Sequence, residues 1–195
     1  LLASGDHKAV NKMHQMSFLI YNLVIFPIIA GMLIVNDDFV RFFLGKDFQD
    51  ARYAIAIMIF RMFFIGWTNI MGIQILIPHD KNKEFMLSTT IPAIVSVGLN
   101  VLFLPHFGFI GAAIVSVLTE SLVWLIQLYY TRHYLKEVPI IGSMTKIMFA
   151  SAVMYGLLLL IKPFLHFTPT LNVLVYAVLG GIIYLIAILL SLIHI

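Results

Sequence analysis

From Phe85 to Thr119 the chain carries no Asp, Glu, Lys or Arg. A bilayer core about 30 Å thick is crossed by roughly 20 apolar residues of helix, at 1.5 Å per residue. The run is therefore too long for one crossing and right for two joined by a turn. LPHFGFIG, residues 104–111, supplies that turn through Pro105 and Gly108. Lipid-spanning strands would instead alternate in segments of about ten residues. Composition agrees: 62% of the residues are hydrophobic and 11% charged, with a mean hydropathy of +1.03. Soluble domains carry about 25% charged residues. The expected fold class is all-α, a polytopic membrane protein.

Six transmembrane helices are expected, over residues 16–36, 52–77, 85–104, 109–131, 146–162 and 171–193. The polar opening LLASGDHKAVNKMHQ, residues 1–15, lacks the early basic region and short apolar core of a signal peptide. It reads as a loop cut from within a longer protein. Cysteine is absent, so no disulfide, thiolate metal site or cysteine nucleophile is available. The seven histidines do not cluster at metal-ligand spacing, so neither metal nor cofactor is expected.

Loop charges set orientation. Lys8, Lys12, Lys81, Lys83, Arg132, Lys136 and Lys146 lie on the side of the N-terminus; Arg41, Lys46, Arg52 and Lys162 lie on the other. Positive residues favour the cytoplasm, so both ends are expected there, in a cell-membrane protein. The cations form no run, and nucleic acid is not an expected partner. Membrane lipids are. The outer loop, residues 37–51, interleaves Phe39, Phe42, Phe43 and Phe48 with charged residues, as suits the headgroup layer.

The second helix holds Arg61 in apolar surroundings, YAIAIMIFRMFFIGW over residues 53–67. At 100° per residue, Arg61, Thr68, Asn69 and Gly72 share one arc. Thr89, Ser96 and Asn100 share a stripe on the third helix; Ser116, Glu120 and Gln127 share one on the fourth. Polar stripes in spanning helices face a bundle interior or a watered cavity. Arg61 lies roughly 13 Å and Glu120 roughly 16 Å below the outer ends of their helices. Glu120 is the one acid within the expected spans. A buried charge needs a partner, so the two are expected to pair. Two readings stand: an ion pair that locks packing, or cavity charges that meet a substrate or coupling ion. Among the quieter residues, Asn22 is read as an interhelical hydrogen bond and Pro27 as a bend. Ala177 and Gly181 are read as a small-xxx-small packing pair.

Three patches resemble the C-terminal part of polysaccharide-repeat-unit flippases, within the multidrug/oligosaccharidyl-lipid/polysaccharide exporter superfamily. They are PIIAG (27–31) leading to FLGKDF (43–48), GIQILIPHDKNKE (72–84), and NVLFLPHFGFIGAAIVSVLTE (100–120). The resemblance covers residues 1–135. It implies a two-lobed flippase fold in which 1–135 supply a cytoplasmic loop and the last four helices of the second lobe. Residues 136–195 would be the extra C-terminal helix pair of fourteen-helix members, and an N-terminal lobe of the same protein would be a partner. The implied substrate is an isoprenoid-pyrophosphate-linked oligosaccharide, moved across the cytoplasmic membrane for surface polysaccharide synthesis.

The stripes suit that task. Arginine binds phosphate oxygens in bidentate fashion, and unaided passage through hydrocarbon would strip the substrate's hydration. Arg61, Asn69, Ser96, Asn100, Glu120 and Gln127 are the expected substrate-binding residues. No bond is broken, so no enzyme and no catalytic residue is expected. The alternatives are a membrane-embedded glycan-processing enzyme, for which the expected outer loops of about 15, 4 and 8 residues are too small, and a non-transporting scaffold subunit, which has no need of matched polar stripes.

Overall fold

The computed structural model describes residues 7–136, 138–165 and 167–193. All its regular structure is helical: α1 (His7–Phe43), α2 (Ala51–Asn69), α3 (Asn82–Leu135), α4 (Ile140–Ile161) and α5 (Pro169–Ile193). Five helices are long and apolar enough to cross a membrane, as in a multi-pass membrane protein. The expected count was six separate helices. The difference lies in α3, where the third and fourth expected spans form one helix of 54 residues.

α3 is nevertheless folded in two. Gln127 Nε2 donates to Ser88 Oγ at 3.2 Å, although 39 residues of straight helix would hold them about 58 Å apart. Gly108, midway between them, leaves helical geometry with φ 53° and ψ −136°. That region is open to glycine and closed to side chains. A Cβ on Gly111 would lie 2.7 Å from the carbonyl oxygen of Phe103, so the arms are tight against each other at the corner. Pro105 stays helical; one residue makes the turn for which eight were expected.

Two further boundaries differ from expectation. Residues 1–15 were read as a loop, but α1 begins at His7. Val10, His14, Phe18, Asn22 and Ile25 are all buried in it, at helical spacing. The loop expected at 37–51 starts later, because α1 continues through Asp37 and Asp38 to Phe43 before a 3-10 turn at Lys46–Phe48. Beyond Asn69, α2 runs into a π-helix, Ile70–Leu76, and a 3-10 turn, Ile77–His79.

The chain packs as two compact units. The first takes residues up to Tyr21 together with Phe60–Ile140; the second takes Asn22–Ile59 with Ile141–Ile195. Packing thus groups 22–59 with the C-terminal helices. In the first unit, Phe18, Trp67, Met71, Ile75, Leu76, Ala113 and Val115 form the core. Gly66 lets Tyr21 lie on the backbone of α2, where a Cβ would overlap the tyrosine ring, and Tyr21 Oη donates to the Met62 carbonyl.

The second unit centres on Ile34, Val40, Ile147, Ala150, Met154, Leu158 and Tyr176. Pro27 sits inside α1 and has no amide for the Leu23 carbonyl. Tyr184 Oη donates to that carbonyl at 2.9 Å, which lets the helix pass through the proline. At the Phe43 end, Arg52 pairs with Asp37 at 3.2 Å, Asn172 Nδ2 donates to Asp38 at 3.2 Å, and Lys162 Nζ donates to the Ile34 carbonyl at 2.8 Å. The expected close approach at Ala177 and Gly181 is not made there. Both are exposed and line an apolar cleft of about 510 Å³ with Gly31 and Val35, while Gly180 meets Leu158 and Met154.

Candidate functional site

Arg61 and Glu120 meet in the first unit. Arg61 Nη2 donates to Glu120 Oε1 at 2.9 Å and Nε donates to the same oxygen at 3.3 Å. The arginine side chain keeps 37% of its exposure and the glutamate 19%. The pair is therefore screened from one side and open on another. It sits between α2 and the second arm of α3, both long apolar helices. Charges in such segments are rare because removal from water costs several kcal/mol per ion. Two donors on one carboxylate oxygen offset part of that cost.

One turn further along both helices lies an aromatic cluster. Trp124 is 5.8 Å from Phe64, 6.2 Å from Trp67 and 6.4 Å from Phe63, and Phe18 of α1 joins through Trp67 at 4.7 Å. These tilted and edge-on rings fix α1, α2 and the second arm of α3 below the ion pair. Trp124 Nε1 is buried with no hydrogen-bond partner.

Beyond the rings come polar side chains that are buried at His14, Ser88 and Gln127 and half-buried at Ser17 and Gln74. Ser17 Oγ donates to Gln74 Oε1 at 2.8 Å, and His14 Nε2 lies 3.3 Å from the Gln74 carbonyl oxygen. Gln127 Nε2 reaches Ser88, whose Oγ donates to the Phe85 carbonyl at 2.7 Å. Gly72 makes room here, since a Cβ would lie 2.5 Å from the Phe85 ring and 3.2 Å from Gln127 Nε2. Arg61 with Glu120, and then Gly72 with Gln127, meet in the same order along both segments. α2 and the second arm of α3 therefore run in the same sense, as the depth argument requires.

The six candidate residues divide accordingly. Arg61 and Glu120 are brought together. Ser96 and Asn100 are half-buried neighbours on the first arm of α3, where Asn100 Nδ2 donates to the Ser96 carbonyl at 2.9 Å and to Ser96 Oγ at 3.3 Å. Asn69 is exposed, whereas Thr68 and Gly72 are buried, so the arc drawn through them at uniform spacing splits. Thr68 and Asn69 both lie in α2, before the π-helix, and point about 100° apart on it, so one is buried and the other exposed. Gln127 is 1% exposed and committed to Ser88. His14, Ser17, Gln74 and Ser88 were not singled out by sequence; for His14 the signal was its place in the buried 10–14–18–22 series. No family model matches the chain, and no curated protein is significantly similar to it.

Proposed function

We propose that this chain is part of a membrane flippase that carries an isoprenoid-pyrophosphate-linked oligosaccharide across the cytoplasmic membrane. The observation that carries this reading is the Arg61–Glu120 pair, a partly exposed cation on a carboxylate between apolar helices. A buried pair contributes little to stability compared with well-packed apolar side chains. It suits a site that exchanges one anion for another: the arginine leaves the carboxylate for a pyrophosphate and returns when the substrate departs. Asn69, exposed, and Ser96 with Asn100, half-buried, are the polar groups placed to meet sugar hydroxyls. The three resembling patches support the substrate class. On this reading each arm of α3 crosses the bilayer, which brings the crossings to six. An N-terminal lobe of the same protein, as the resemblance implies, faces the polar residues, and both ends described above are cytoplasmic.

The competing reading makes the pair a packing device of a scaffold subunit. Its place between α2 and α3, one turn from the aromatic cluster, favours it. Three variants of the full-length protein separate the two, with export of lipid-linked glycan and protein level measured together. Arg61→Ala abolishes export with only partial loss of protein. Glu120→Gln keeps the fold and alters export. The swap, Arg61→Glu with Glu120→Arg, restores protein level but not export. Wild-type export by Arg61→Ala, or full export by the swapped protein, would assign the pair to packing alone.

A further inference from the structure

The second arm of α3 has a surface that the ion pair does not use. Between Val115 and Lys136 the exposed residues are Leu118, Leu125, Tyr129, Arg132, His133 and Lys136. At 100° per residue they fall on one stripe about 100° wide. Gln127 and Thr131, both buried, and Glu120 lie opposite. Leu118, Leu125 and Tyr129 are 43%, 52% and 59% exposed. The stripe is ordered along the axis: leucines first, then the tyrosine, then the cations.

That order matches the layers of one leaflet. Leu118 and Arg132 are separated by 14 residues of helix, about 21 Å at 1.5 Å per residue. Half a bilayer with its headgroups measures about 20–22 Å. With Leu118 near the midplane, Tyr129 sits at the interface, where aromatic side chains concentrate, and Arg132 stands at the phosphates. The Arg132 guanidinium lies over the Tyr129 ring at 4.3 Å, and neither Arg132 nor Lys136 makes an ion pair among the described residues. The cations of the second unit differ: Arg41, Arg52 and Lys162 each donate to a partner within it.

We propose that this stripe seats one anionic phospholipid, with its acyl chains along Leu118 and Leu125, its glycerol region on Tyr129, and its phosphate on Arg132 and Lys136. Charge complementarity selects an anionic lipid over a zwitterionic one. Two cations with no ion-pair partner among the described residues, at the depth of the lipid phosphates, favour a lipid over an apolar helix of a protein partner. The proposal does not depend on what the protein transports.

The test uses the full-length protein purified in detergent. It is titrated with short-chain phosphatidylglycerol or with phosphatidylcholine of the same chains, and bound lipid is counted by native mass spectrometry. The protein retains phosphatidylglycerol in preference, and raising the salt removes that preference. Arg132→Gln with Lys136→Gln weakens phosphatidylglycerol retention roughly thirtyfold, from about 1 kcal/mol per cation at a membrane surface, and leaves phosphatidylcholine unchanged. Arg41→Gln with Lys46→Gln changes neither. The unfolding temperature of each variant in lipid-free detergent confirms an intact fold. Equal retention of the two lipids, salt-insensitive retention, or unchanged retention by the double variant would overturn the proposal. So would a dimer that persists in phosphatidylglycerol and excludes lipid, since a second copy would then cover the stripe.

Discussion

Away from water, a polar side chain must find its partner within the bundle, and Gln127 shows how narrow the choice is. Its Nε2 has Ser88, while its Oε1 is buried with no partner. Ser88→Ala would strip the amide of the bond it has. That leaves a donor unsatisfied at a site 1% exposed, at a cost of about 1–3 kcal/mol. Gln127→Leu in the Ser88→Ala background removes the orphaned amide and recovers part of the loss. Thermal unfolding in detergent of the two single variants and the double variant measures this as a coupling energy; strictly additive losses would mean the bond contributes nothing. Arg61–Glu120 could be read from sequence because a charge in a spanning helix has few partners and Glu120 was the one acid available. Gln127 could not, because neutral amides and hydroxyls pair with many groups, backbone included. Thr68, Ser88, Thr89 and Thr131 all donate to carbonyls of their own helix.

Gly108 and the π-helix decide more about the elements than the prolines do. A Cβ on Gly108 would meet nothing within 4 Å. Gly108→Ala therefore costs backbone strain alone, about 1–3 kcal/mol for a side chain held at φ 53°. Pro105 is exposed and helical; Pro105→Ala is neutral or stabilising, since alanine suits helix interiors far better. Unfolding temperatures of the two variants should move in different directions, and an unaffected Gly108→Ala would show that another residue makes the corner. Helix existence was legible from apolar run length, and so was the hairpin. The π-helix at Ile70–Leu76 was not, because no local residue pattern in IMGIQIL specifies i→i+5 bonding. It is stabilised by what surrounds it: Gly72 against Phe85, and Gln74 against Ser17 and His14.

For the molecule as a whole, charge is distributed by expected side. The sequence segments expected on the N-terminal side hold seven Lys and Arg against Asp6, Asp80, Glu84 and Glu137; those expected on the other side hold four against Asp37, Asp38, Asp47 and Asp50. With Arg61 and Glu120 cancelling, the full net charge of +3 belongs to one side. That side is expected to stay in the cytoplasm. Because the chain lacks cysteine, single cysteines report topology directly. In intact cells an impermeant maleimide should label Lys46→Cys and spare Lys83→Cys until the membrane is opened. The reverse pattern would invert the orientation.

Sequence by itself determined that this chain is helical and membrane-spanning, where its apolar segments lie, that α3 doubles back, and which two charges meet. Each follows from a strong local energy: the cost of exposing backbone or charge to hydrocarbon. Only the tertiary structure decided that residues 22–59 pack with the C-terminal helices, that one glycine makes the corner of α3, that Gln127 is spent on Ser88, and that Tyr184 takes the carbonyl freed by Pro27. Those are choices among near-equal apolar surfaces and neutral hydrogen bonds. They are settled by shape and by which groups long-range packing brings within about 3 Å of one another.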